Sequence, residues 1–395
     1  VSALDLIRTR IRDRGPITVA DFMSLALYHP EHGYYARAAR RTGRNGDFFT
    51  SVDVGPIFGT LLGRQFAQMW RTICEPQSAV RTPQSAAGGA RSVPEPFDLV
   101  EAGASNGQLA RDVLDWAAAD DPEFYDAVRF HLVEGSPTAR AAQAEVLAPH
   151  AAKIASSSAR LPDDVHGVVY ANELLDALPV HRVLMTEHGL REQYVDVAPD
   201  GRLVERAGRP SSEALQRYLD ALGVGLQPGW RAEINLAALA WIARAASTLH
   251  HGFLVLIDYG HEARDLYSAA HADGTLTSFQ RHLADRASER GPAWLAEPGN
   301  RDITSHVDLT SIERTAHDLG FTTLGILDQT YFLLALGLSD LSEGGGTSLA
   351  ETRKRLALKT LLVPGGLGST HKVMVFGKGV GAPPLRGLSG LRRLT

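Results

Sequence analysis

The chain has 395 residues, 44% of them apolar and 22% charged, with a formal net charge of −5. It is long enough to bury a large core and to hold two or three domains. The mild negative balance argues against a nucleic-acid partner, no apolar run approaches the roughly 20 residues of a bilayer-spanning helix, and the single cysteine, Cys74, leaves neither a disulfide framework nor a Cys-rich metal site.

Residues 1–75 read as a helical lid region. Residues 3–13 form an amphipathic segment, and nothing at the start resembles a secretory signal. With the cysteine usage, this makes a cytoplasmic setting the expectation. Thr18 or Asp21 opens a second helix that His29-Pro30 ends. A Gly- and Arg-rich loop over 33–50 follows, then a long helix from about Val54 to Ile73. Residues 76–95, rich in Ser, Ala, Gly and Pro without apolar periodicity, read as a mobile linker or surface loop.

The most informative stretch is 97–116. An apolar run (Phe97, Leu99, Val100) ends in Glu101, a turn of small residues follows (Gly103, Ala104, Ser105, Gly107), and Leu109, Val113, Leu114 and Trp116 recur at helical spacing. Strand, tight turn and helix in this order bring backbone N–H groups close to a ligand, although close helix–sheet packing would select the same small residues. Glu101 decides which ligand suits the turn. A carboxylate there repels a pyrophosphate and welcomes the cationic methionine end of S-adenosylmethionine. It also speaks against a nicotinamide-dependent oxidoreductase, as does the lack of a G-x-G-x-x-G turn.

A second strand, Arg129–Glu134, ends in another acid placed to grip the ribose hydroxyls of an adenosine cofactor. Gly135-Ser136-Pro137 breaks it before a helix over 138–147. A third unit, His166–Tyr170, runs into Asn172-Glu173-Leu-Leu-Asp176, a polar cluster where open α/β sheets place their chemistry. The same residues could simply cap the following turn. Strands over 190–207, helices over 210–222 and 232–250, and a buried strand Phe253–Asp258 come next. Asp258-Tyr259-Gly260 then faces the same cleft. The polar stretch 261–304 reads as a loop-rich insertion, as does about 190–230. A helix over 308–319, a strand over 322–327, helices around 331–341 and 349–362, and a final strand 371–376 close an α/β core of 96–380. Residues 381–395 read as a weakly ordered tail. The fold class is α/β, a seven-stranded, mostly parallel sheet whose last strand is antiparallel, with helices on both faces.

Seven ordered blocks resemble the MidA-like methyltransferases, a family that includes a mitochondrial complex I assembly factor methylating an arginine. They are Phe22–Tyr35, Gly46–Thr50, Leu99–Leu109, Leu132–Pro137, Ala171–His181, Ile257–Gly260 and Asp302–Asp308. The resemblance covers about residues 5–378. It implies a class I, Rossmann-like fold, S-adenosyl-L-methionine as cofactor and protein arginine methylation. Where the family's loop carries a middle glycine, this chain has Ser105. A positive φ there would cost about 1 kcal/mol.

Methyl transfer needs an acceptor held in line with the leaving sulfur, about 3 Å from the methyl carbon, with water excluded. Cofactor contacts are expected from Gly46, Asp47 and Thr50 in the lid, from Glu101, Gly103, Ser105, Gly107 and Leu109 around the first turn, from Glu134, Gly135 and Ser136 at the ribose, and from Asn172 and Glu173. Glu173 and Asp176 are the candidates for orienting the acceptor, because a carboxylate can take two guanidinium N–H bonds and aim the third nitrogen. His306 is the candidate general base for a hydroxyl acceptor, with a structural histidine the competing reading. No metal is expected, since the 15 histidines show no ligand spacing and His250-His251 reads as a helix end. The acceptor is a protein, a peptide or a small molecule, with a homodimer left open. An O- or N-methyltransferase of a small molecule or modified peptide, and a non-catalytic cofactor-binding assembly factor, are the competing functions.

Overall fold

The computed structural model describes residues 2–36, 51–74, 96–280, 283–284, 291–342, 358 and 370–393. Seven strands of the central sheet, numbered here in chain order, are β1 (Phe97–Ala102), β2 (Val128–Val133), β3 (Ile154–Ser158), β4 (Val165–Asn172), β5 (Leu249–His261), β6 (Thr322–Asp328) and β7 (His371–Lys378). Their spatial order is β6-β7-β5-β4-β1-β2-β3. The first five run parallel to one another, and β7 runs antiparallel to both β5 and β6, as the sequence pattern implies. A short eighth strand, Val307–Asp308, pairs with the end of β5.

Both faces of this sheet are covered, so its inner strands need apolar residues at consecutive positions. In β5, Val255 and Ile257 pack on one face and Leu254 and Leu256 on the other; Leu99 and Val100 divide in the same way in β1. Helices Ile57–Cys74 and Gln108–Asp120 cover the first face, and Leu236–Thr248 and Leu309–Asp318 the second. The crevice that matters lies between β1 and β4, where successive strands leave in opposite directions along the sheet.

A second, antiparallel sheet stands over the C-terminal ends of these strands. Gly189–Val197 pairs with Leu203–Gly208, with His181–Thr186 and with Ile17–Thr18 from the N-terminal region, while Arg231–Ile234 closes the other side of His181–Thr186. The helix expected over 232–250 is therefore shorter. It starts at Leu236, where the Asn235 side chain accepts the Ala238 N–H at 2.8 Å. It ends at Thr248, so His250 and His251 lie in β5 and are not a helix end. The long N-terminal helix begins at Ile57, after Gly55-Pro56, and not at Val54. The stretch 261–304 carries a small three-stranded sheet of Thr277–Gln280, Leu283–Ala284 and Asp302–Thr304.

The C-terminal stretch corrects the expectation of a weakly ordered tail. Arg386–Arg393 forms a 3-10 helix; Leu385 and Leu388 are buried in the core cluster, and the Gly387 N–H donates to Gln65 Oε1 at 2.9 Å. Two leucines at this spacing suffice to dock a short turn. The expected helix over 331–341 is Gln329–Ala335. The expected linker 76–95 and, apart from 358, the helix at 349–362 lie outside the described residues.

Candidate active site

Three acids stand where the sheet opens: Glu101 near the end of β1, Glu134 just past β2 and Glu173 just past β4. Glu101 is 4% exposed, and its Oε2 is buried without a hydrogen bond. The buried Tyr170 hydroxyl and the Ala110 backbone N–H lie against the carboxyl and work toward its charged form. Burial first, then the nearby carboxylates Asp112 and Glu134, push the Glu101 pKa up to about 8. A buried acid with an unmade bond is costly in isolation and fits a cationic group. That observation accords with the methionine end of S-adenosyl-L-methionine.

The turn after β1 folds over the end of β2, with the Gly103 and Ala104 N–H groups both donating to the Val133 carbonyl, at 2.9 and 3.1 Å. Gly103 and Gly107 have φ of 77° and 83°, and a Cβ on Gly107 would lie 2.9 Å from Leu147. Ser105 also has a positive φ, 45°. Its peptide is clamped from two sides: its N–H donates to Glu134 Oε2 at 2.9 Å, and its carbonyl accepts from Gln143 Nε2 at 2.8 Å. Ser105→Gly should therefore raise stability by up to about 1 kcal/mol, the relief of left-handed strain less the added freedom of the unfolded chain. Denaturant titration reads this directly, and a loss of more than that amount would show that the serine hydroxyl contributes bonds of its own.

Glu134 uses one oxygen for Ser105 and the other for the Ser136 N–H, at 2.7 Å. Each carboxylate oxygen keeps a further acceptor site, so the side chain is fixed in place and still able to receive hydroxyls. Gly135 is exposed, with nothing within 4 Å of where a Cβ would stand. Ser136 is committed to capping the next helix, accepting from the Ala139 N–H at 3.3 Å. The Leu109 side chain is buried in the core, so only its backbone can face a ligand.

Past β4 the chain turns sharply. Glu173 has φ of 51°, and its N–H donates to the Ile257 carbonyl at 2.8 Å. Its Oε1 receives the Ser51 N–H at 3.2 Å and Asn172 Nδ2 at 3.4 Å, and lies 3.5 Å from His371 Nε2. Asp176 is 5% exposed, with the Tyr259 hydroxyl beside its carboxyl. Burial, then the charges of Asp258, Asp302 and Glu173, hold its pKa well above the ordinary carboxylate range. Asp258 caps this turn, with Oδ2 accepting the Leu175 and Asp176 N–H groups at 2.8 and 3.3 Å; burial is the main cause that lifts its pKa to about 7. Asp302 accepts from the Tyr35 hydroxyl at 2.8 Å, and the Tyr28 ring lies tilted against Tyr35 with centroids 5.3 Å apart. Four carboxylates and two tyrosine rings thus lie together.

His306 stands beside this group, behind Tyr259. Its ring stands edge-on to Tyr259 at 5.2 Å, and its other ring neighbours are His261 and His271. Burial and those two histidines push its pKa down to about 4. Gly46, Asp47 and Thr50 lie outside the described residues. The described residues that flank them are both anchored at the cleft: Thr138 Oγ1 donates to the Ala36 carbonyl at 3.2 Å, and Ser51 meets Glu173.

Sequence reasoning missed His371, Tyr28, Tyr35, Asp302 and Gln143 as members of the site. Tyr28, Tyr35 and Asp302 fall inside the family-like blocks, but only the fold pairs them. His371 opens a plain strand, and nothing in its local pattern marks it.

A family model for S-adenosyl-L-methionine-dependent methyltransferases matches residues 61–327. The chain is similar to the protein arginine methyltransferase NDUFAF7 homolog, mitochondrial, of Drosophila melanogaster, with 28% identity over 95% of this chain and 84% of that one. It is also 28% identical to the mitochondrial protein arginine methyltransferase NDUFAF7 of Mus musculus, over 83% and 72% of the two chains. A Burkholderia thailandensis protein crystallised with S-adenosyl-homocysteine superposes with a TM-score of 0.84 at 27% identity, covering 98% of this chain and 94% of that one. The names of the curated relatives are mitochondrial and lend no support to the cytoplasmic setting expected above. Among the described residues no helix is long and apolar enough to cross a membrane.

Proposed function

Since the chain belongs to the S-adenosyl-L-methionine-dependent methyltransferase family, we propose that its acceptor is an arginine side chain of a protein, held by Glu173 and Asp176. The observation that carries this reading is the buried carboxylate cluster of Asp176, Glu173, Asp258 and Asp302, in which Asp176 has the Tyr259 hydroxyl beside it but no cation among the described residues that act on it. Such a cluster asks for a cation with several donors, and guanidinium brings five N–H groups in a planar fork. The relatives named as protein arginine methyltransferases agree with it.

When bound, the cofactor supplies a methyl group already activated for displacement. Glu101 would hold its ammonium, the Gly103–Gly107 turn its backbone-facing side, and Glu134 its ribose. Glu173 would take two guanidinium N–H bonds and aim the third nitrogen, while Tyr28 and Tyr35 would exclude water from the acceptor side. A bound guanidinium would favour the ionised forms of Asp176 and Asp258, whose pKa values burial raises in the empty site, and an ionised carboxylate can then accept the proton that the guanidinium sheds after attack. Residues 1–75, including Gly46, Asp47 and Thr50, would serve as the lid.

Two measurements test this. Calorimetric titration should show S-adenosyl-homocysteine binding and no NAD binding. Labelled methyl groups, traced by mass spectrometry in a protein extract treated with the enzyme, should appear on arginine. Label confined to hydroxyl groups or to the small-molecule fraction would overturn the arginine reading and leave the family assignment standing.

A further inference from the structure

Beside the acceptor pocket, on the far side of Tyr259, three histidines from separate segments converge. His261 ends β5, His271 ends the short 3-10 helix Ala269–His271, and His306 precedes the strand Val307–Asp308. Their ring centroids are 5.0, 5.1 and 5.9 Å apart. One ligating nitrogen from each lies within 4.8 Å of the others. We propose that His261, His271 and His306 bind a divalent first-row transition metal ion of the zinc type, with a fourth coordination position left open.

The imidazoles carry the features of metal ligands. His271 Nδ1 lies 3.0 Å from the Asp265 carbonyl; that bond protonates Nδ1 and leaves Nε2 as a free lone pair, the orientation that outer-shell partners impose on metal-binding histidines. His306 Nδ1 is buried and makes no hydrogen bond, so a polar atom here lacks the partner that burial demands. The segment that bears it is pinned, since the His306 N–H donates to Thr275 Oγ1 at 3.0 Å and Thr275 in turn is held by Glu233. Lys372, whose charge acts on His261, is paired with Asp328. Zinc–nitrogen bonds of about 2.1 Å in a tetrahedron put ligand atoms about 3.4 Å apart, so no pair need close by more than about 1.4 Å. Three nitrogen ligands with no fourth protein ligand among the described residues is the donor set of an open site, in which water or a substrate group completes the shell. The ion would tie together the end of β5, the 269–271 turn and the 305–308 segment, which form the backing of Tyr259. None of these three residues is needed for the methyl-transfer reading, so either proposal can fail alone.

The test uses the full chain stripped with a chelator. Cobalt(II) titration should give the visible absorption of a tetrahedral nitrogen site at one equivalent per chain, and zinc should displace it. His271→Ala and His306→Ala should each lose at least about 100-fold in zinc affinity, measured against a chromophoric chelator, while still binding S-adenosyl-homocysteine as proof of folding. If His306→Ala fails that check, His271→Gln, on a surface turn, carries the experiment. Absence of one-equivalent binding in the wild-type chain, or zinc affinity unchanged in the variants, overturns the proposal.

Discussion

Glu173→Gln is expected to reduce kcat by about a hundred- to ten-thousandfold while leaving S-adenosyl-homocysteine affinity close to that of the wild-type protein. The geometry explains why so small a change should matter. Glu173 Oε1 already gathers Ser51, Asn172 and His371, whereas Oε2 makes no hydrogen bond among the described residues. A guanidinium would therefore meet an oxygen that is oriented but uncommitted. Glutamine keeps the shape and one acceptor, yet it replaces the second with an N–H pair that opposes the incoming donors. The backbone strengthens the case, because a non-glycine residue with φ of 51° costs on the order of 1–3 kcal/mol and such strain concentrates at functional sites. Glutamine leaves that strain in place, so stability should barely change and the loss can be read as chemistry. Activity within tenfold of wild type would remove Glu173 from the acceptor side. A collapse of S-adenosyl-homocysteine binding would assign it to the cofactor instead.

What could be read from the residues divides along the range of the interactions. The βα units around 97–147 are set by local rules, apolar runs, small-residue turns and capped helices, and the sheet with its antiparallel last strand follows from them. The acids Glu101, Glu134 and Glu173 were legible because each stands at a strand end, where chain direction alone fixes the location. The boundary at 232–236 was not, since Arg231–Ile234 is a strand only because His181–Thr186 is beside it. The docked C-terminal turn depends on a groove next to Phe332 that local pattern does not reveal. His306 shows the limit most plainly. In sequence it is a lone histidine, and its partners His261 and His271 stand forty-five and thirty-five residues away. No spacing rule for metal ligands spans such separations, because here three different elements supply the geometry.

Glu101 should make cofactor binding depend on pH in a way that no exposed acid would. Its pKa in the ligand-free fold is about 8 against an ordinary 4.5, so it is neutral through most of the range in which the unfolded chain is ionised. The sign follows. The neutral acid's stability is fully present below 4.5 and is lost as pH rises toward about 8, by up to roughly 1.4 kcal/mol per pH unit. Glu101→Gln should flatten that slope and leave the ligand-free protein more stable than wild type near pH 8. Binding reverses the advantage. An ammonium at the unpartnered Oε2 favours the carboxylate, so wild-type affinity for S-adenosyl-homocysteine should rise about tenfold per unit up to pH 8 and then level. Near neutral pH the complex should release close to one proton, seen calorimetrically in buffers of different ionisation enthalpy. Glu101→Gln should release none, lose the pH dependence, and bind about 10- to 100-fold more weakly at pH 8, the usual cost of a hydrogen bond to a charged group. A flat wild-type profile would mean that the carboxylate does not face the cation, and the argument that turned this turn from pyrophosphate to a cationic cofactor would then have to rest on the family alone. The same variant thus gains stability where it loses binding, which separates a residue kept for its ligand from one kept for the fold.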